Sequence, residues 1–272
     1  MSLACHIRVR GRTLAALVFI GYCIVAVLYL NFSRAVSTSE WWSASREPAG
    51  LAPDPRVTRE AVVQVYAART VGWRGYVGVH TWIAVKRSDA RQFVVHEVIG
   101  YRIRSGNVVV ASNRHADGYW FGAKPELLKD VRGEGVDELI DRLEHAVRRY
   151  PYADRYRVWP GPNSNTFIAW VLREVPQLRA DLPATAIGKD YLGKMPVRAT
   201  PSGTGVQFNL FGVLGFVIAW HEGVELNILG LTFGIDLKRV GIKLPLIGRI
   251  SLLGKHVPSK LQPGSEAPPK TL

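Results

Sequence analysis

Hydrophobic and polar positions divide the chain into three stretches of different kind. Leu14 to Leu30 reads LAALVFIGYCIVAVLYL, seventeen residues without a charge. At about 1.5 Å per helical residue, this run with Thr13, Asn31 and Phe32 reaches across a hydrocarbon core of about 30 Å. From Ala61 the pattern changes to period two. AVVQVYAART is followed by a turn at residues 72–75 and then by YVGVHTWIAVK. Alternation in the second run sets Val77, Val79, Ile83 and Val85 on one face of a strand, and Gly78, His80, Trp82 and Ala84 on the other. QFVVHEVIGYRIR and NVVVAS continue the meander, and a polar loop, NRHADGYWFGAK, leads to a helical segment.

Within that segment Val136 to Tyr150 carries Leu139, Leu143, Ala146, Val147 and Tyr150 at helical spacing. Glu138–Arg142 and Glu144–Arg148 are supporting pairs at i, i+4. After the turn WPGP, NSNTFIAWVLREV reads as a helix capped by Asn163 and closed by Pro176, with Phe167, Trp170, Val171 and Glu174 along one side. The last third is apolar but interrupted. VQFNLFGVLGFVIAW predicts a glycine-rich β-hairpin with Val206, Phe208, Leu210, Leu214, Phe216, Ile218 and Trp220 on one face, and a second membrane span is the alternative.

Charge gives the first run a direction. Arg8, Arg10 and Arg12 precede it and no acidic residue does, so the positive-inside bias keeps the N-terminus cytoplasmic. A cleaved signal peptide is the competing reading, with Ser33-Arg34-Ala35 as its small-x-small site. Both readings export the remainder. The organisation expected is a basic N-terminus (1–12), a transmembrane anchor (13–32), a Ser/Pro/Ala-rich linker (33–60), an α+β domain (61–200), an apolar Gly-rich β extension (201–256) and a Pro-rich disordered tail (257–272). Subtracting the three leading arginines from the net +13 leaves +10 for the exported part. Such a domain is drawn to anionic headgroups or acidic wall polymers, and nucleic acid is not an expected partner there.

The two cysteines, Cys5 and Cys23, lie before and inside the apolar run. The exported domain therefore has no disulfide framework, no thiolate metal site and no cysteine nucleophile. No phosphate-binding loop or dinucleotide fingerprint occurs, and no cofactor is expected. His221, Glu222 and Glu225 cluster in a turn, without a further ligand at recognisable spacing.

Two segments carry candidate chemistry. His80 lies on a strand in VHTWIAV, and Ser164 opens a helix in PNSNTF, flanked by Asn163 and Asn165 as candidate binding residues. A hydroxyl in a first helical turn sits at the positive end of the helix dipole beside free N–H groups, which can stabilise an oxyanion. A histidine from an adjoining strand can serve as general base. On residue types alone three roles stay open for Ser164: nucleophile, ligand-binding group, or plain helix cap. Either His96 or Glu97 on the next strand could orient His80, although alternation sets His96 with Val94 and Val98 as a satisfied core histidine. His115 and Asp117 lie in the aromatic loop.

HTWIAV resembles the histidine strand of the permuted papain-like isopeptidases, the PPPDE family, and GPNSNTFIAWVLREV resembles their Asn-Cys-Asn-Thr-Phe helix start. The order, histidine strand first and nucleophile helix later, is also that of the permuted NlpC-type and lecithin:retinol acyltransferase-like proteins. The exported region as a whole more closely resembles a bacterial family known as domain of unknown function 3750, whose name supplies no activity. The papain-like resemblance implies an α+β fold with His80 as base and a nucleophile at Ser164, where the family has cysteine. It further implies acyl transfer or amide/ester hydrolysis, which the anchor and its charge bias set in a bacterial inner membrane with the domain facing the periplasm; the alternatives are a non-catalytic binding module of the same fold and a structural membrane partner. The expected partners are the lipid bilayer and either cell-wall peptides or lipid-linked acyl groups.

Overall fold

The computed structural model describes residues 11–32 and 40–251; the leading arginines Arg8 and Arg10, Cys5 and the expected disordered tail lie outside the described residues. α1 (Gly11–Phe32) is the apolar run, and its window Thr13–Leu30 has a mean hydropathy of 2.4. By length and composition it is a membrane span or a signal sequence. Tyr22, near its middle, donates its hydroxyl to the Pro245 carbonyl, and Ala26 and Leu30, one and two turns on, are buried.

The chain then folds as mixed helix and antiparallel sheet. A five-stranded sheet comprises β1 (Val62–Arg69), β2 (Val79–Lys86), β3 (Val94–Val98), β4 (Val109–Ser112) and β5 (Glu126–Arg132), in the order β4-β3-β2-β1-β5. The expected third strand is cut short, because Gly100–Ser105 form a 3₁₀ turn. Gly100 lies so close to the Tyr156 ring that a Cβ would meet it at 2.5 Å. β5 follows the aromatic loop, where alternation gave no strand. Its pairing with β1 shifts register between Val65 and Tyr66, and that bulge breaks the period two.

α2 (Val136–Arg148) and α3 (Ser164–Glu174) cover one face of this sheet. Val63, Val65, Ile83 and Val85 meet Phe167, Ile168, Leu172 and Ile140 there in one buried cluster. Glu144 pairs with Arg87, just beyond β2, at 3.0 Å, a tertiary pair in place of the expected Arg148. The other face holds Tyr66, Trp82, Ala84 and Val95. Part of the segment expected as linker is docked there: Asp117 Oδ2 accepts the N–H groups of Leu51 (2.5 Å) and Ala52 (3.1 Å).

The last third forms a second, seven-stranded antiparallel meander. Its strands are β6 (Val197–Ala199), β7 (Gly205–Leu210), β8 (Leu214–Ala219), β9 (Gly223–Ile228), β10 (Leu231–Asp236), β11 (Gly241–Leu244) and β12 (Gly248–Ser251). The expected hairpin is its β7–β8 pair, with Val206 opposite Ile218 and Phe208 opposite Phe216. Its apolar face points outward, and its buried face is polar. Lys243 Nζ reaches Asp181 (2.9 Å) and Glu225 (2.6 Å), while Lys189 Nζ reaches Glu225 at 2.5 Å. Asp190 accepts from Gln207 (2.7 Å) and Asn227 (2.8 Å). Asp181, Lys189 and Asp190 belong to the segment after α3, so this ion network bolts the two sheets together.

Candidate functional site

The site is built where α3 begins against β2. Asn163 caps the helix. Its Oδ1 accepts from the N–H groups of Asn165 (3.0 Å) and Thr166 (3.1 Å), and Thr166 Oγ1 returns a bond to the Asn163 N–H at 3.1 Å. This reciprocal box fixes the helix start. Gly188 packs on it at φ +92, and a Cβ there would lie 2.3 Å from Asn163 Nδ2. Only glycine suits both the backbone and the space.

Asn165 ties that helix start to the strand. Its Oδ1 accepts from Thr81 Oγ1 at 2.9 Å, and its Nδ2 donates to the carbonyls of Val79 (3.0 Å) and Ile187 (2.8 Å). Val79 and Thr81 are the residues on either side of His80. Between the two asparagines sits Ser164, buried, with no hydrogen bond from Oγ to another described residue. The Asn165 and Thr166 N–H groups are used by the cap, whereas the Ser164 N–H forms no such bond.

The His80 ring lies on the Trp82 side of the sheet. It stacks on Trp120 with centroids 3.8 Å apart and rings 11° from parallel. Nε2 meets Glu97 Oε2 at 2.8 Å, and Glu97 is held from its other side by Arg114 at 2.8 and 3.2 Å. Arg114 in turn lies over the Trp82 ring, 4.7 Å from its centroid. Burial would raise the Glu97 carboxyl, but the His80 hydrogen bond and the Arg114 charge outweigh it and bring it down to about 2. Burial also lowers His80, against the pull of Glu97. The pair is therefore an ionised carboxylate and a neutral imidazole. Nε2–H donates to the Glu97 carboxylate, and Nδ1 is the unprotonated nitrogen, without a hydrogen bond to another described residue.

His80 and Ser164 do not hydrogen-bond to each other; the Asn165 side chain, reaching both neighbours of His80, connects them. Of the two candidate orienters it is Glu97 that serves. His96 sits on the opposite face with both ring nitrogens buried and without a partner among the described residues, so it is a core histidine but not a satisfied one. His115 is exposed. Glu222 accepts from Ser202, at 2.6 Å to the hydroxyl, and Glu225 is taken by the two lysines, so neither joins His221. Sequence reasoning missed Arg114 and Trp120. The only signal for either was the density of aromatic and basic residues in the loop before β5.

Acid should weaken this fold in two stages. His80 and His96 are lowered by burial from an ordinary 6.5, and burial with the Lys238 charge lowers His221 to about 4. The unfolded chain thus binds more protons below about pH 6.5, and stability declines as pH falls from there toward 4. Glu97 adds a second loss between its ordinary 4.5 and about 2. Denaturant midpoints measured from pH 7 down to 4 should hold to about 6.5 and fall below it; a midpoint unchanged at pH 5 would contradict these burials.

The arrangement defines a class: an α+β domain with a carboxylate-oriented histidine beside a capped helix start bearing a hydroxyl. Residues 60–191 match the family described as Protein of unknown function (DUF3750), and this domain belongs to it. The match spans the five-stranded sheet, both helices and the segment through Asp190. No curated protein and no solved structure matches the chain.

Proposed function

We propose that the chain is a membrane-anchored acyl-transfer or amide/ester-hydrolysing protein of permuted papain-like type, with Ser164 as nucleophile and His80 as base. The observation that carries this reading is the His80–Glu97–Arg114 relay, which leaves a neutral imidazole with a free Nδ1 one residue from both points where Asn165 clamps the helix start. Ser164 Oγ attacks an acyl carbonyl carbon as its hydroxyl proton passes to Nδ1 across bridging water, since no direct bond joins the two side chains. The oxyanion forms beside the unused Ser164 N–H at the positive end of α3. Collapse expels the leaving group, which takes the proton back from Nδ1, and water or an acceptor hydroxyl then releases the acyl group by the reverse sequence. Arg114 keeps Glu97 ionised throughout, so the transient imidazolium is stabilised.

Burial of Ala26 and Leu30 and the Tyr22–Pro245 bond support a retained anchor over a cleaved signal. The loop leading to Ser164 favours a lipid-linked substrate. Trp159 Nε1 donates to the Leu229 carbonyl at 3.0 Å, and Gly212 packs on Pro160, so the exposed apolar turns at Phe211 and Leu229 adjoin the site. The separation of His80 and Ser164 onto the two sides of β2 supports a second reading, a binding module of the same fold without turnover.

Hydrolysis of chromogenic esters of increasing chain length, by the full-length protein in vesicles, separates the two readings. The enzyme reading predicts turnover that rises with chain length and is lost in Ser164→Ala. Ester binding without turnover by the wild type would leave the binding module.

A further inference from the structure

The second sheet is built inside out for a water-soluble layer. Across it run three transverse apolar rows set by the strand registers. Val206, Ile218, Val224, Ile235, Ile242 and Ile250 are successive neighbours on β7 to β12. A second row passes from Phe208 through Phe216 and Leu226 to Phe233, and a third from Leu210 through Leu214 and Ile228 to Leu231. Ile218 and Trp220 are 59% and 64% exposed. The rows between them are buried and carry the polar side chains, Gln207, Glu225 and Lys243 in one and Asn209, Asn227 and Thr232 in the other, with Val217 and glycines between. A sheet in water places its apolar rows inward. Here the reverse holds over six strands.

Two further observations say what covers the outer face. The turn between β11 and β12 bonds to the middle of α1 through Pro245 and Tyr22. Tyr22 lies eight residues before Leu30, about 12 Å along the helix. If α1 spans, this end of the sheet lies at the depth of the acyl chains. The turn's Ile247 carbonyl is also occupied, by Arg69 at 3.2 Å, as a non-aqueous setting requires. The meander also has a polarity along its strands. The β7–β8 and β9–β10 turns share this end and expose Phe211 (65%) and Leu229 (63%), whereas at the opposite end the β10–β11 turn carries Lys238 and Arg239 between exposed Leu237 and Val240, and the β8–β9 turn exposes Trp220. An apolar end and an end that mixes basic, apolar and aromatic side chains match acyl chains and the anionic headgroup boundary in that order.

We infer that the outer face of the β7–β12 sheet is a lipid-contacting surface, sunk into the leaflet through which the C-terminal half of α1 passes. The domain is thus seated in the membrane as well as tethered to it. This inference does not rest on the chemistry of Ser164 and stands or falls on lipid contact alone.

The test uses the full chain, with Cys5→Ser and Cys23→Ala, in vesicles of phosphatidylethanolamine and phosphatidylglycerol. Nitroxides are attached at Phe216→Cys, Ile218→Cys and Leu226→Cys, with Glu138→Cys on α2 as reference. Collision with oxygen should exceed collision with a water-soluble nickel chelate several-fold at the three sheet positions, and the order should reverse at Glu138. Greater nickel access at the sheet would overturn the inference, because the face would then be in water. Low access to both reagents would also overturn it, with spin–spin broadening indicating a second copy of the chain. As a label-free check, brominated acyl chains should quench the fluorescence that Phe216→Trp adds in the middle of the face; an unquenched tryptophan there would contradict lipid contact.

Discussion

Lys243→Met is expected to cost about 3–5 kcal/mol of stability, the range for removing one partner from a buried ion network. Lys243 is 1% exposed, and its three ammonium protons are shared among Asp181, Glu225 and the Glu222 carbonyl. Burial alone would lower its pKa, but Asp181 and Glu225 outweigh it and raise it, so the group is charged. Methionine fills the volume and leaves Asp181 and Glu225 short of a cation in a dry layer. At about 2–4 °C per kcal/mol for a domain of this size, the melting temperature should fall by roughly 10 °C. Ile242→Thr, one residue away on the outer face, should move it far less in detergent. Equal effects at the two positions would mean that the polar layer is not what joins the sheets.

Turnover should respond to the site in a different manner from stability. Ser164→Ala and His80→Ala should each lower ester turnover by about 10²–10⁴-fold or more, the range for a positioned base and its nucleophile. The double variant should be no worse than the poorer single one, because residues acting as a unit are not additive. Their effects on stability should instead add, within about 0.5 kcal/mol, since no hydrogen bond joins the two side chains. Multiplying losses in turnover would mean that His80 and Ser164 act separately, and the proposed site would dissolve into a helix cap and a buried pair.

Legibility in the sequence follows how local each determinant is. α2 was readable because it buries one side at period 3.6, and α3 by its cap and terminal proline; β1 and β2 were readable as runs rich in β-branched residues, although both faces of each are buried. The Asn163 cap was readable because its acceptor and donors lie within three residues. β5 was not, because its bulge against β1 interrupts the alternation. Glu97 was visible as a neighbour of His96, but which of the two meets His80 depends on the β2–β3 register, where Ile83 lies opposite His96. Arg114 and Trp120 come from a loop with no period to read. The hairpin at 206–220 was found by its apolar face, yet alternation cannot say whether that face turns inward. The answer lay in Gln207, Glu225, Asn227 and Lys243, whose partners Arg173, Asp181, Lys189 and Asp190 lie 17 to 62 residues away.

The claim that Ser164 is an activated nucleophile is tested most directly on the native hydroxyl, by adding an alkyl fluorophosphonate to the full-length protein in vesicles and locating the adduct by mass. Attack by Oγ forms the O–P bond and expels fluoride while His80 accepts the proton. The account predicts a phosphonylated peptide at Ser164 in the wild type, and labelling at least about 100-fold slower in His80→Ala. A folded wild-type protein left unmodified at Ser164, or labelled equally fast without His80, would contradict it.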